Sequence, residues 1–444
     1  KIYYFYIKPV NLFLLTTSIS LLINYNYIYD IGFLYSFSIS LSLILTTKYL
    51  TSNNYLIGLL KTSIISFLVS IPISLYNILS IIYNLFFVPY VSIIVFPITI
   101  VTTFAPFLLP IYELLIKILE NISLALSNIK VLTLIFPRLH IIVYLLYYIL
   151  IIIFIKGLLS KNKKQLLPLF FLLIIHYTYP YLNKDLLIEM IDVGQGDSLI
   201  ISSKNKAVLI DTGGKVKYKQ EEWQKTNKDS SIVKNITIPL LKSKGLKKID
   251  FLIITHGDYD HMGEAINLVN NFKVDNVIFN CGEFNELEKE LIKVLDKKKI
   301  KYYSCIKELN IDNNKLYFLQ TKEYDNENDN SNVIYTELDG YKFMFMGDAG
   351  VEKEKDILEK YNLSNIDVLK VGHHGSKTSS SKEFINEINP NYSIISVGKN
   401  NRYGHPNKEV LNNLSDSKIY RTDQDGSVMF KIKNNKLRIE TYSP

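Results

Sequence analysis

Apolar positions run almost unbroken through the first 183 residues and alternate with polar ones beyond about residue 184. In the first part, residues 9–25, 31–47, 62–83, 85–112, 139–155 and 165–182 are long runs nearly free of charge. Each approaches the ~20 residues that span a bilayer as a helix. A buried soluble helix or a signal peptide accounts for one such run, whereas six in succession predict a multi-span α-helical membrane domain over 1–183. Tyrosines near the run ends, such as Tyr25, Tyr27, Tyr177 and Tyr181, suit the interfacial belt. The stretch 84–112 carries prolines at 89, 97, 106 and 110, each of which removes a helix hydrogen bond. A broken or re-entrant segment is expected there, with kinked, packed helices as the alternative. Residues 111–130 place Glu113, Lys117 and Glu120 among leucines and isoleucines, as an amphipathic interfacial helix does.

From residue 184 to 444 the texture is that of a soluble α/β domain. "LLIEMIDVGQGDSLII", "KAVLIDTGG", "KIDFLIITHGD", "NVIFNC", "VIYTEL", "YKFMFMGDAG", "IDVLKVGHHGS" and "YSIISVG" read as strands that end in polar loops, several followed by helical patterns.

Charge sharpens the division. Residues 1–183 hold three acids (Asp30, Glu113, Glu120) against eleven Lys or Arg, and the remainder holds 39 of each sign. The net charge of +8 therefore belongs to the apolar part and gives no reason to expect a globally basic nucleic-acid surface on the second domain. The densest positive loop, "KGLLSKNKK" at 156–164, is placed in the cytoplasm by the positive-inside rule. One further span, 165–182, then delivers the second domain to the extracytoplasmic face of the cell membrane. Counting spans from Lys8 and Lys48 agrees only if 85–112 turns back on itself. Two cysteines, Cys281 and Cys305, are too few for a disulfide framework or a Cys-based zinc site.

The candidate chemistry lies in the loops. "DVGQGDS" (192–198) exposes Gln195 and Asp197 on a glycine turn, and "IDTGG" (210–214) presents Asp211. "THGDYDH" (255–261) supplies His256, Asp258, Asp260 and His261, while "NENDNSN" (326–332) is polar and flexible in character. "MGDAG" (346–350) offers Asp348, and "VGHHGSKTSS" (371–380) offers His373 and His374 before a hydroxyl-rich stretch. A single HxDxDH is compatible with a capped turn; its recurrence with GD and HHGS at other strand ends points to a dinuclear hydrolytic site. Alternate residues on an extended loop face opposite ways, so His256 with Asp258 is expected at one metal and Asp260 with His261 at the other. Asp348 is the natural bridge, and either His373 or His374 completes the second shell. An aspartate at 258, where zinc hydrolases more often carry histidine, hardens the site and shifts preference from Zn²⁺ towards Mn²⁺.

These motifs resemble the metallo-β-lactamase fold and, more closely, the bacterial competence DNA-uptake channel family ComEC. The series DVGQGDS, IDTGG, THxDxDHxG, GD, VLKVGHHGSKTSS, GHP (here "RYGHPNKEVL", 402–411) and YRTDxxG (here "YRTDQDGSVMF", 420–430) occurs in order. "YDIGFLYSFSISLSLIL" (29–45) and residues 63–97 extend the likeness through the membrane part. The resemblance implies an α/β metallo-β-lactamase-like αββα sandwich after the spans. It also implies that the chain, which begins at Lys1, lacks the family's amino-terminal soluble domain and first membrane helices. The implied function is DNA internalisation across the cytoplasmic membrane, one strand passing the channel and the domain degrading the other as a metal-dependent nuclease. Single-stranded DNA, the lipid bilayer and other DNA-uptake proteins are the implied partners, and two divalent ions, Mn²⁺ or Zn²⁺, the implied cofactors.

Carried over by residue, the resemblance makes His256, Asp258, Asp260, His261, Asp348 and one of His373 or His374 the metal shell, with Asp211 orienting it. Asn330 and Ser331 stand where related hydrolases place a further histidine, which weakens the first site. Ser376, Lys377 and Thr378, with Gln195, Asp197, Asn330 and Ser331, are candidate phosphate or DNA contacts, as are Lys215, Lys217 and Lys219. His405 is the candidate proton donor to the leaving oxygen. His140 and His176, within apolar runs, read as interface or bundle residues. Two other functions remain open: a membrane-anchored phosphodiesterase acting on a wall or lipid phosphoester, and a channel whose domain binds DNA without cleaving it.

Overall fold

The computed structural model describes residues 8–71, 76–77, 79–127, 129, 133–214, 231–311 and 314–442, in two compact units, Lys1–Tyr179 and Pro180–Pro444. The candidate lysines 215, 217 and 219 lie outside the described residues.

The first unit is helical: Pro9–Ile23, Ile31–Leu50, Tyr55–Ser70, Ser80–Phe104, Leu109–Ser127, Ile141–Leu159 and the helix Leu167–Leu182, whose end crosses into the second unit. Four stretches, Gly32–Leu50, Ser80–Phe104, Ile142–Leu159 and Lys163–Leu182, are long and apolar enough to cross a membrane. Large apolar side chains such as Leu22, Ile93, Phe104 and Ile152 are exposed on these helices, a surface that suits lipid and not water. The expected run 62–83 divides between the helix Tyr55–Ser70 and the one starting at Ser80.

Two of the four prolines lie inside a continuous helix and two at the break that follows it. Pro89 precedes a π-helical turn, Tyr90–Val95, and Pro97 sits in the first turn of the segment Phe96–Phe104, so the helix from Ser80 continues through both. The break comes at Ala105 (φ −130°, ψ 74°), with Pro106 opening a short 3₁₀ turn and Pro110 in the first turn of Leu109–Ser127. His176 is buried among these helices: one ring nitrogen lies 2.8 Å from the Tyr147 hydroxyl, the other 2.6 Å from the Pro137 carbonyl. His140 caps the helix that follows it. Both are thus bundle residues.

The second unit contains fifteen strands: β1 (Leu186–Met190), β2 (Leu199–Ser203), β3 (Lys206–Ile210), β4 (Ile249–Ile253), β5 (Val274–Phe279), β6 (Lys301–Ser304), β7 (Glu308–Ile311), β8 (Asn314–Phe318), β9 (Ile334–Leu338), β10 (Tyr341–Phe345), β11 (Val368–Lys370), β12 (Tyr392–Ile395), β13 (Lys418–Arg421), β14 (Ser427–Lys433) and β15 (Lys436–Tyr442), counted among the described residues. They form two sheets, ordered β15-β14-β1-β2-β3-β4-β5-β6 and β13-β12-β11-β10-β9-β8-β7.

Period-2 alternation dictates the layering. Leu186, Ile188 and Met190 of β1, with Leu199 and Ile201 of β2, enter a core between the sheets that also holds Ile334, Phe343, Phe345, Ile394 and Phe430. Ile200 and Leu209 point the other way, into a core beneath the helices Ile238–Ser243, Ala265–Asn271 and Glu286–Lys298. Met344 and Leu369 do the same on the other sheet, beneath Val351–Lys360, Lys382–Ile388 and Lys408–Asn413. The result is the expected αββα sandwich.

Each sheet contains a block of parallel strands, β3 to β6 in one and β10 to β13 in the other, paired in register as at Leu209–Leu252 and Met344–Leu369. Parallel neighbours end together, so the loops after β3, β4, β10, β11 and β12 gather at one edge. This is why motifs far apart in sequence meet there. Cys281 and Cys305, which follow β5 and β6, form a disulfide that ties the ends of those two strands together.

Candidate metal centre

Asp211 follows β3 in a left-handed conformation (φ +59°), which turns its carboxylate back beneath the loop after β4. It accepts from Thr255 N at 2.8 Å, Thr255 Oγ1 at 2.6 Å and His261 Nδ1 at 2.8 Å. A carboxylate only accepts, so His261 Nδ1 carries a proton and its Nε2 is the atom left to coordinate a metal. Thr255 spends its hydroxyl hydrogen on Asp211, leaving its oxygen to accept from His256 Nδ1 at 3.1 Å. His256 therefore also presents Nε2. His374 Nδ1 donates to the Ser396 carbonyl at 2.9 Å, which fixes the same tautomer in the third ring.

The presented atoms converge. His261 Nε2 lies 3.2 Å from Asp348 Oδ1, while His374 Nε2 lies 3.3 Å from Asp260 Oδ2 and 3.5 Å from Asp348 Oδ2. His256, His261 and Asp348 each offer an atom within 4.8 Å of the others, as do Asp260, His261 and His374. The Nε2 atoms of His256, His261 and His374 and Asp348 Oδ1, all buried, have no hydrogen-bond partner. Orphaned buried acceptors of this kind are costly unless a cation satisfies them, so the donor set fits divalent metal.

The turn 372–375 separates the two adjacent histidines. His373 (φ 46°) and His374 (φ 53°) are both left-handed, held by His373 N to Gly347 O and Ser379 Oγ to Gly372 O. His374 is thereby buried against Asp260. His373 faces outward, its Nε2 3.9 Å from Asp348 and its Nδ1 3.2 Å from the Thr378 hydroxyl. Asp258 stands at the mouth, half exposed, 3.5 Å from His256 Nε2. Glycine is required at 196 (φ +118°), because a Cβ there would lie 2.1 Å from the Asp260 carbonyl.

Several expected contacts differ. Asn330 turns away: its side chain exchanges hydrogen bonds with the backbone of Tyr324, so it is no stand-in ligand. Ser331 faces inward instead, with its Oγ 3.3 Å from His256 Nδ1 and accepting from Asp348 N. The "flexible" loop 326–332 is a 3₁₀ turn, Glu327–Asn330, locked where Asp329 accepts from Gly350 N and Lys353 donates to Ser331 O. Asp197, expected to meet phosphate, is buried and ion-paired with Lys370, close to Asp348 and His374. Gln195 accepts from Gly398 N with its side-chain oxygen and braces a loop. The Ser376 and Thr378 hydroxyls lie 3.0 Å apart near the mouth, with Lys377 exposed between them. His405 packs against His373, ring centres 5.9 Å apart.

Lys370 went unrecognised in the sequence. Its signal is a lone lysine in the otherwise apolar run "VLKV", which ends at the metal loop.

The electrostatics follow from packing. Burial opposes protonation of His261, but Asp348 and Asp211 hold it well above its usual value. His374 is raised likewise by Asp348, Asp260 and Asp197 against burial. Burial pushes Asp260 up, yet His374 beside it and the charge of His261 bring it down to about 2. Asp348 falls well below the carboxylate range for the same reason. Burial, then the neighbouring imidazoles, hold His405 below its usual value.

A two-sheet sandwich with histidine and carboxylate loops at one edge defines a metallo-β-lactamase-fold domain, and residues 191–399 match the metallo-beta-lactamase superfamily. Residues 1–161 match the family described as Competence protein. The chain is 30% identical to ComE operon protein 3 of Bacillus subtilis (strain 168) over 460 residues, 97% of this chain and 59% of that protein. It is 28% identical to Competence protein ComA of Neisseria gonorrhoeae, over 56% of this chain and 33% of that protein. Among solved structures, the metallo-beta-lactamase fold protein YhfI from Bacillus subtilis aligns with a TM-score of 0.37 at 12% identity, covering 54% of this chain and 96% of that one. The chain thus joins a stretch that matches the competence family to one that matches the metallo-beta-lactamase superfamily, and it is homologous to ComE operon protein 3. It spans less than two thirds of the length of the curated relatives it matches.

Proposed function

We propose that this chain acts in DNA internalisation, its helices forming part of a conduit and its second unit cleaving the phosphodiesters of the strand that is not transported. The observation that carries the reading is the convergence of three orphaned imidazole Nε2 atoms with Asp348 Oδ1. Asp260, His261, Asp348 and His374 would hold one divalent ion; His256, with Asp258 beside it, would hold a second, sharing Asp348. Such ions acidify water and neutralise phosphate oxygens. The remaining work belongs to the protein. Asp211, Thr255 and the Ser396 carbonyl fix the imidazole tautomers. Ser376, Lys377 and Thr378 line the mouth, where they bind phosphate oxygens and neighbouring phosphates. His405, packed against His373, would donate a proton to the leaving oxygen.

Ser331 in place of a nitrogen ligand and Asp258 in place of a histidine favour Mn²⁺ over Zn²⁺. The Cys281–Cys305 disulfide supports an extracytoplasmic second unit, since such bonds persist in oxidising compartments. The test incubates the purified full chain with single-stranded DNA and with a small phosphodiester, in Mn²⁺ or Zn²⁺. DNA cleavage that disappears in Asp260→Ala is the expected result. Turnover of the small ester alone would replace this reading with a wall or lipid phosphodiesterase. Tight DNA binding without metal-dependent cleavage would leave a binding domain.

A further inference from the structure

Lys370 ends β11 fully buried beside the metal centre. Its Nζ pairs with Asp197, donates to the Gly347 carbonyl at 2.8 Å and stays 3.9 Å from Asp348 Oδ1. Burying an ammonium costs several kcal/mol unless it is paired, and here the partner is Asp197. Yet Asp197 is itself placed to bind a cation: Asp197, Asp348 and His374 each offer an atom within 4.8 Å of the others. Asp197 Oδ1 is an orphaned acceptor, 3.5 Å from His374 Nδ1. Lys370 thus stands between two buried carboxylates that can compete for the same ion, in contact with one and short of hydrogen-bond distance from the other.

We propose that Lys370 is a positioning residue that holds Asp197 out of the coordination shell and leaves Asp348 to the ion. The inference rests on the metal-centre reading above and assigns roles to two residues which that reading leaves outside the shell. Its logic is competitive. Without the ammonium, Asp197 is an unpaired buried carboxylate beside the centre and joins the ion as an additional hard oxygen ligand. Without Asp197, the ammonium keeps only Asp348 as a charged partner and competes with the ion for it.

The two deletions therefore move metal affinity in opposite directions, which a merely structural ion pair does not do. The test is Mn²⁺ binding to the full chain, stripped with EDTA and read by calorimetry and by the Mn²⁺ electron paramagnetic resonance spectrum, with no DNA present. Lys370→Met should tighten Mn²⁺ binding by about tenfold and change the spectrum. Asp197→Asn should weaken it by about tenfold, and the double variant should return near wild type. Weaker or unchanged binding in Lys370→Met, or tighter or unchanged binding in Asp197→Asn, overturns the proposal. If Lys370→Met does not fold, Asp197→Asn decides alone. Because no substrate enters the readout, a chain that binds Mn²⁺ as expected but leaves DNA intact would sink the nuclease reading and spare this one.

Discussion

Asp211→Asn isolates the residue on which the imidazole geometry depends. Asp211 is fully buried, with Oδ1 accepting from Thr255 N and Oδ2 accepting from both Thr255 Oγ1 and His261 Nδ1. An asparagine keeps the shape and the Thr255 N bond but puts an NH₂ where Oδ2 was. That NH₂ must donate, so His261 Nδ1 becomes the acceptor and the ring proton moves to Nε2, the atom 3.2 Å from Asp348. The substituted protein folds with the ligand facing the centre in the wrong tautomer. Loss of such an orienting carboxylate costs roughly 10–100-fold in metal affinity. At about 1.4 kcal/mol per decade, that is roughly 1.4–2.8 kcal/mol. The assay is calorimetric titration of Mn²⁺ into EDTA-stripped protein, with a thermal melt as a check that the fold is intact. Wild-type affinity in a folded Asp211→Asn protein would refute the tautomer argument.

Three further outcomes follow from the same geometry. His374→Ala should abolish metal-dependent cleavage and weaken Mn²⁺ binding, whereas His373→Ala should leave Mn²⁺ affinity within a few fold, because only His374 is buried against Asp260 and Asp348; equal losses in titrations of the two would contradict this. His261 and His374 hold their protons to a higher pH than ordinary imidazoles, and an ion must displace the proton on Nε2. Mn²⁺ affinity should therefore rise with pH through and above the usual histidine range and fall below it, as titrations at several pH values would read. Reduction of Cys281–Cys305, 24 residues apart, should lower the melting temperature of the second unit, by roughly 3 kcal/mol of stability on the chain-entropy account. An unchanged melt under reducing conditions would show that the bond contributes nothing.

The strands that end in chemistry were legible because a buried parallel strand and its polar loop leave a sharp boundary, as in "FLIITHGDYDH" and "FMFMGDAG". The edge strands β6, β7, β13 and β15, with β8 beside β7, were not, since Lys301–Ser304 and Lys436–Tyr442 lie largely at the surface and lack the apolar run. The ligand loops could be listed from sequence, but not how each side chain is aimed. Whether His373 or His374 points inward depends on two left-handed residues, and whether Asn330 or Ser331 does depends on the Tyr324 backbone. Asp197 reads as a solvent-facing turn residue until its partner Lys370, 173 positions later, is brought beside it by the meeting of the two sheets. In the membrane part, proline spacing located a break but not its site. A π-helical turn absorbs Pro89, and the chain interrupts at Ala105 instead.

The most direct test of the central claim is the rate at which the purified full chain cleaves single-stranded DNA, measured after EDTA stripping and again after Mn²⁺ is restored. The account predicts no cleavage without the ion, recovery with it, and none at any Mn²⁺ concentration in His374→Ala. DNA left intact by the wild-type chain at saturating Mn²⁺, or cleaved equally well in EDTA, would contradict it.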